Sequence, residues 1–234
     1  MHSDLLPDGQ SVLARRAVIN GAMLFAIMAA VMFGGGGTLA WWQGWVFLLV
    51  YCAWATGASV WMYRHDPALF ARRLRGGPAA EKEPAQKIIM SVMSAAYIGL
   101  IFIPALDYRY GWSRAPPWLV PVGHALFSLG WIMILFVLKE NSFTASTVEV
   151  MPGQAVVSSG AYAIIRHPMY AGAIFLLAGI PLALGSWWGL APMVAIAPGV
   201  IWRLLDEERM LARDLAGYAV YMERVRYRLV PGVW

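Results

Sequence analysis

The sequence predicts an all-α integral membrane protein that crosses the bilayer about six times, the last two crossings forming a short hairpin. Three observations carry this expectation. Of the 234 residues, 60% are hydrophobic and only 13% are charged, against about 25% charged in a soluble domain. The mean hydropathy is +0.59. Long stretches lack charge altogether, one from Ala17 to Tyr63 and another from Met169 to Trp202. Finally, Lys and Arg are confined almost entirely to alternate intervening segments. Such a chain has more apolar surface than one core can hide, and lipid accounts for the surplus.

A crossing needs about 20 apolar residues of helix. Gly34 to Gly37 split the first uncharged stretch into a span over Ala17 to Phe33 and a second over Trp42 to Tyr63. A third runs from Ile88 to Leu106. Pro116 and Pro117 open a fourth, which ends near Lys139; proline suits the first turn of a helix. The stretch from Met169 to Trp202 is 34 residues long and is interrupted by Pro181, Gly185-Ser186, Pro192 and Pro198. It is short for two full crossings and too long for one, which predicts two tilted or short helices, the second continuing past Arg203. A re-entrant pair is the alternative. Residues 1–140 thus form four membrane helices, and residues 141–234 a region made of a loop, a hairpin and a cytosolic tail.

Charge orients these spans. With a cytoplasmic N-terminus, sixteen of the 18 Lys and Arg fall inside, and only Arg109 and Arg114 fall outside. Six crossings with both ends cytoplasmic therefore satisfy the positive-inside rule. Trp41, Trp42, Trp45, Trp112, Trp118, Trp187 and Trp188 fall near the expected outer ends, where indole rings anchor in the headgroup layer. Arg15 and Arg16 before the first span resemble a signal peptide, but the apolar run is long and reads as an uncleaved anchor.

Other classes are disfavoured. The net charge of +5 is explained by topology and forms no basic face for nucleic acid. Cys52 is the single cysteine, and His2, His65, His124 and His167 show no paired ligand spacing, so no metal site is expected. A transporter would carry charged or strongly polar groups inside its spans; Asn20, Gln43 and His124 are isolated. Val148 to Val157 is expected to form a small β-hairpin around Met151-Pro152-Gly153-Gln154.

Three local patterns carry chemistry. The first is Gly160-Ala161-Tyr162, followed by Arg166-His167-Pro168-Met169-Tyr170. Pro168 pushes His167 off helical angles and suits a helix's first turn, whose free N–H groups favour a carboxylate. The second is Arg203 followed by Asp206-Glu207-Glu208, acids able to hydrogen-bond ribose hydroxyls. The third is Tyr218-x-x-Tyr221-x-x-Arg224-Val225, with two phenols one helical turn apart. Singly, each also fits an interfacial helix end. In this order and spacing they resemble the superfamily of isoprenylcysteine carboxyl methyltransferases and phospholipid methyltransferases, over about Asn141 to Trp234. The family often has Gly-Pro-Tyr where this chain has Gly160-Ala161-Tyr162.

The resemblance implies a membrane-embedded methyltransferase using S-adenosylmethionine at the cytosolic membrane face. It points to Gly160, Tyr162, His167, Tyr170, Glu207, Glu208, Tyr218 and Tyr221 as cofactor-binding residues, with the tail closing over the cofactor. Arg203 and Glu208 are the expected catalytic residues. Arg203 would orient an acceptor or brace the glutamates, while Glu208 or His167 would take a proton from an amine acceptor. A carboxylate acceptor needs no general base at neutral pH. The acceptor is expected to be a lipid-like or prenylated small molecule arriving from the bilayer. Three acceptor chemistries stay open: prenylcysteine carboxylate, phospholipid amine and small thiol, with carboxyl methylation favoured.

Overall fold

The computed structural model describes residues 7–74, 84–144, 150–151 and 153–234. Among these residues eight α-helices follow in order: α1 (Pro7–Gly36), α2 (Trp42–His65), α3 (Pro67–Arg73), α4 (Pro84–Tyr110), α5 (Leu119–Glu140), α6 (Pro168–Ala183), α7 (Met193–Asp214) and α8 (Tyr218–Arg224). Among the described residues there is no strand. Five helices are long and apolar enough to cross a membrane, namely α1, α2, α4, α5 and the segment Trp188–Asp214 that contains α7. The sixth apolar helix, α6, has 16 residues and reaches only about 24 Å. The protein is an integral membrane protein of about six apolar helices, with the final pair short as the proline and glycine interruptions imply.

Several boundaries differ from expectation. Gly34 to Gly36 do not break the first helix, which runs to Gly36 and stops at Gly37 with φ +68°. The reason is packing: a Cβ on Gly35 would lie 3.0 Å from the Ala105 side chain, so the missing side chains let α1 approach α4. Pro116 and Pro117 precede α5 rather than sitting inside it, and the Leu119 N–H donates to the Pro116 carbonyl at 2.9 Å. The short α3 was not anticipated. Asp66 caps it, its Oδ1 accepting from the Leu69 N–H at 2.8 Å, with Pro67 in the first turn. Of the expected β-hairpin, Val148, Glu149 and Pro152 lie outside the described residues. The described remainder forms no strand, and Val150 and Val156 pack on the cluster around Leu211, Tyr218 and Val225. Trp41 is not an anchor: it is fully buried and stacks on Tyr108 with ring centroids 5.2 Å apart. Trp42, Trp45, Trp112, Trp118, Trp187 and Trp188 are exposed, as anchoring requires.

Two features fix the frame around the site. Helices α5 and α6 meet along a seam of glycines. A Cβ on Gly123 would lie 2.0 Å from the Ala183 nitrogen, one on Gly130 2.5 Å from the Leu176 nitrogen, and one on Gly179 2.4 Å from the Phe127 nitrogen. The two backbones are therefore in direct contact, the packing mode that lipid-embedded helices favour. At the tryptophan-rich end, the buried Asp107 of α4 ties down the α6–α7 connection. Its Oδ1 accepts from the Ser113 N–H at 2.6 Å, its Oδ2 accepts from the Ser186 hydroxyl, and Ser186 Oγ accepts from the Gly189 N–H at 2.9 Å.

Gly130→Leu is expected to lower stability by about 1–3 kcal/mol or more, as overpacking does, read by thermal unfolding in detergent. Gly57→Leu, at a position with open space, serves as the control that leaves the transition in place. Asp107→Ala removes the acceptor for two donors and is expected to cost about 1–3 kcal/mol in the same measurement.

Candidate active site

At the end opposite the tryptophans, the described parts of the connections converge. The C-terminal end of α2 and α3 meet the α5 exit, where Arg72 donates to the Ser142 carbonyl. The start of α4 meets α7: the buried Gln86 accepts from Arg203 Nη1 at 2.8 Å and donates to Asp206 Oδ2. The start of α6 meets the tail, with the Arg166 N–H donating to the Tyr227 carbonyl at 2.9 Å and the His167 N–H donating to the Arg228 carbonyl at 3.0 Å.

These elements enclose a cavity of about 360 Å³. Its walls change character along its length. Met90 and Met93 of α4, Ala173 and Leu177 of α6 and Val200 of α7 line the part at membrane depth. Gln154, Tyr162, Tyr218 and Tyr221 line the part formed by the loop and α8. Arg73, His167, Tyr170, Arg203 and Glu207 line it as well. The α7 contribution follows from helical geometry, since Val200, Arg203, Glu207 and Met210 recur at three- and four-residue steps on one face.

Of the nine residues singled out in the sequence, Tyr162, His167, Tyr170, Arg203, Glu207, Tyr218 and Tyr221 line this cavity, whereas Gly160 and Glu208 do not. Tyr170 and Glu207, 37 positions apart, meet directly, the phenol donating to Oε2 at 2.7 Å. The His167 and Tyr170 ring centroids are 5.7 Å apart. His167 ends the loop with φ −125° and ψ 61°, and Pro168 occupies the first turn of α6. Tyr221 donates to the Tyr162 carbonyl at 2.8 Å and stands 5.5 Å from the Tyr218 ring. Gly217, at φ +86°, provides the left-handed turn that folds α8 back against the end of α7. Burial pushes the Tyr162 phenol up to about 12, with Glu207 and Glu140 adding to the rise against the hydrogen bond from Asn141. Tyr218 and Tyr221 are raised as well, chiefly by burial. All three phenols are therefore neutral at physiological pH and act as hydrogen-bonding groups.

The other two residues have different surroundings. Gly160 has φ +50°, and a Cβ there would lie 2.2 Å from the Glu140 carboxylate. What approaches this glycine is α5's last residue: Glu140 accepts from Ser159 Oγ at 2.9 Å and from the Ala161 N–H at 3.1 Å. Glu208 faces away from the cavity into a buried ionic cluster. Arg166 Nε lies 2.7 Å from its Oε1, His167 Nε2 lies 3.2 Å from the same oxygen, and Arg228 Nε donates to Oε2 at 3.0 Å. A carboxylate only accepts, so the His167 proton sits on Nε2 in this contact.

Sequence reasoning missed Gln86, Glu140, Asn141 and Arg228. A buried glutamine at the head of an apolar span was the one available signal for Gln86; the remainder are ordinary polar residues whose partners lie far away in sequence.

The fold and this cavity define an integral membrane protein whose site is shared between lipid-depth and aqueous side chains at one end of the helix bundle. Residues 118–216 match the family model described as phospholipid methyltransferase. Through this region, which spans α5 to α7, the chain resembles the membrane methyltransferase superfamily that also contains the isoprenylcysteine carboxyl methyltransferases. The match indicates a membrane methyltransferase, a class whose methyl donor is S-adenosylmethionine. No curated protein matches the chain.

Glu140→Ala is expected to release the loop ahead of α6. Amide exchange across residues 159–163 should then accelerate, as read by hydrogen-exchange mass spectrometry. Exchange equal to that of the wild type would show that Glu140 does not hold the loop.

Proposed function

We propose that the protein transfers the methyl group of S-adenosylmethionine to a lipid-like acceptor at the cytoplasmic membrane face, with the carboxylate of a prenylated cysteine favoured. The observation that carries this reading is the graded cavity. A polar donor is accommodated by the end lined with Tyr162, Tyr218 and Tyr221, and an apolar acceptor by the end lined with Met93, Leu177 and Val200. Its volume falls in the range of small-molecule sites, about 300–1,000 Å³. The donor supplies an electrophilic methyl carbon on a sulfonium leaving group, so the protein's task is alignment.

Roles follow from placement. His167 and the first turn of α6 hold the donor's amino-acid end. Glu207, fixed by Tyr170, holds its ribose hydroxyls or amine. Arg203, braced by Gln86, orients the acceptor. The phenols of α8 close the aqueous side. The carboxylate acceptor is favoured because Glu207 is the one acid among the described lining residues, and a carboxylate requires no base. A second reading, N-methylation of a phospholipid amine, is supported by the description of the matching family; His167 would then receive the proton. The cytoplasmic placement rests on the positive-inside pattern and on the convergence of the basic connections at the cavity end, with Arg109 and Arg114 at the other.

Purified protein given radiolabelled donor and, in parallel, prenylcysteine, phosphatidylethanolamine and a small thiol is expected to label the prenylcysteine as a base-labile ester that releases methanol. Label in phosphatidylethanolamine selects the second reading, and label in none refutes both. Glu207→Gln and His167→Ala are each expected to weaken donor binding by about ten- to a hundredfold, the worth of a charge-assisted hydrogen bond, without loss of membrane insertion. Wild-type affinity in both variants would remove these roles.

A further inference from the structure

We propose that Glu208 and Arg228 are positioning residues for the methyl donor: they hold the Arg166-His167-Pro168 turn from behind and couple donor affinity to the docking of the C-terminal tail. The inference rests on the donor site described above and assigns to Glu208 a part other than contact with donor or acceptor.

The geometry separates the two neighbouring acids. On α7, one position turns a side chain through about 100°. Glu207 points into the cavity and is held by Tyr170, whereas Glu208 points to the far side of the turn. Its side chain is 7% exposed, and three cationic or potentially cationic groups converge on its two oxygens. Two of the three, Arg166 and His167, themselves line the cavity. Glu208 therefore orients cavity-lining groups without lining the cavity. A carboxylate buried at this depth is tolerable only with such partners.

Arg228 connects this carboxylate to the tail. Its Nε donates to Glu208 Oε2 at 3.0 Å, while its own carbonyl accepts from the His167 N–H at 3.0 Å. One residue thus grips both the backbone of the turn and the acid beneath it. The guanidinium also lies 5.3 Å from the Trp234 ring centroid, and the Trp234 carbonyl accepts from the Leu229 and Val230 N–H groups at 3.0 Å. Arg166 adds a further link, its Nη1 donating to the Met222 and Val225 carbonyls at 3.3 and 3.4 Å. The tail is held to the turn by side chains and main chain together, so loosening Arg228 changes where His167 points while leaving the helix bundle assembled.

The test compares wild type, Arg228→Ala and Arg228→Lys in donor binding, in steady-state kinetics with donor and acceptor varied separately, and in thermal unfolding without donor. Arg228→Ala is expected to raise the donor KM and Kd by about tenfold, the size of one lost charge-assisted contact that is partly exposed. The acceptor KM and the rate at saturating donor should change less than about twofold. Arg228→Lys keeps the charge and is expected to recover part of the donor affinity; it also serves if the alanine variant does not fold. Trp234→Ala should shift the donor KM in the same direction and by less. Donor affinity equal to wild type in Arg228→Ala, or a loss spread equally over donor KM, acceptor KM and rate, overturns the inference while leaving the methyltransferase reading intact. Failure of the wild type to bind S-adenosylmethionine or S-adenosylhomocysteine at all overturns that reading and this inference with it.

Discussion

The Glu208 carboxylate, buried at the boundary between the helix bundle and the tail, is the interaction on which the rest of this end of the molecule depends. An ion with little access to water is unstable unless its lone pairs are filled. Here they are filled by Arg166 and His167 from the start of α6 and by Arg228 from the tail. Two stretches of chain are thereby drawn to one point on α7. The backbone bonds between residues 166–167 and 227–228 complete the join. Low local dielectric strengthens each contact and equally raises the cost of removing one partner, so the cluster specifies a single arrangement of the turn that carries His167.

The bundle beneath supplies a different kind of rigidity. Glycines on α5 and α6 bring the two backbones together, so these helices behave as one body. That body carries Glu140 at one end and the His167-Pro168 corner beside it. Helix α7 is attached to α4 through Gln86 and through the Asp107 knot at the opposite end. The space left between the α5–α6 body and the α4–α7 pair is the cavity. Its walls are apolar where they derive from helix interiors and polar where they derive from helix ends and the loop. The gradient along the cavity is thus a consequence of where each helix stops.

Much of this was legible in the sequence because bilayer thickness and hydropathy constrain each span locally. The uncharged runs, the proline and glycine breaks after Met169 and the cationic asymmetry give the helices and their order. The site patterns were equally local: Arg166-His167-Pro168, Glu207-Glu208 and Tyr218-x-x-Tyr221 each occupy one turn of chain. What the sequence does not encode locally is facing. Glu207 and Glu208 read as a pair, yet one lines the cavity and the other lies behind the turn. Gly160 reads as room for a ligand, and the space is filled by Glu140, twenty residues earlier. Gly34 to Gly36 read as a break because glycine is a poor helix former; in lipid the same residues allow close packing. Asp107 lay just beyond the expected end of its span and had no neighbour to mark it as a buried acceptor.

The brevity of α6 has a bearing on the membrane itself. At 16 residues it is shorter than the hydrocarbon layer, which is about 30 Å thick. A short apolar segment is accommodated by thinning of the surrounding leaflet or by water reaching deeper along it. Thinning of that kind would lower the bilayer surface at the corner of His167 and Pro168. On the proposed function, an amphiphilic acceptor in that leaflet would then meet the protein with its head near the depth of Tyr170 and Arg203. Its reacting group would stay wetted while its chain stays in oil.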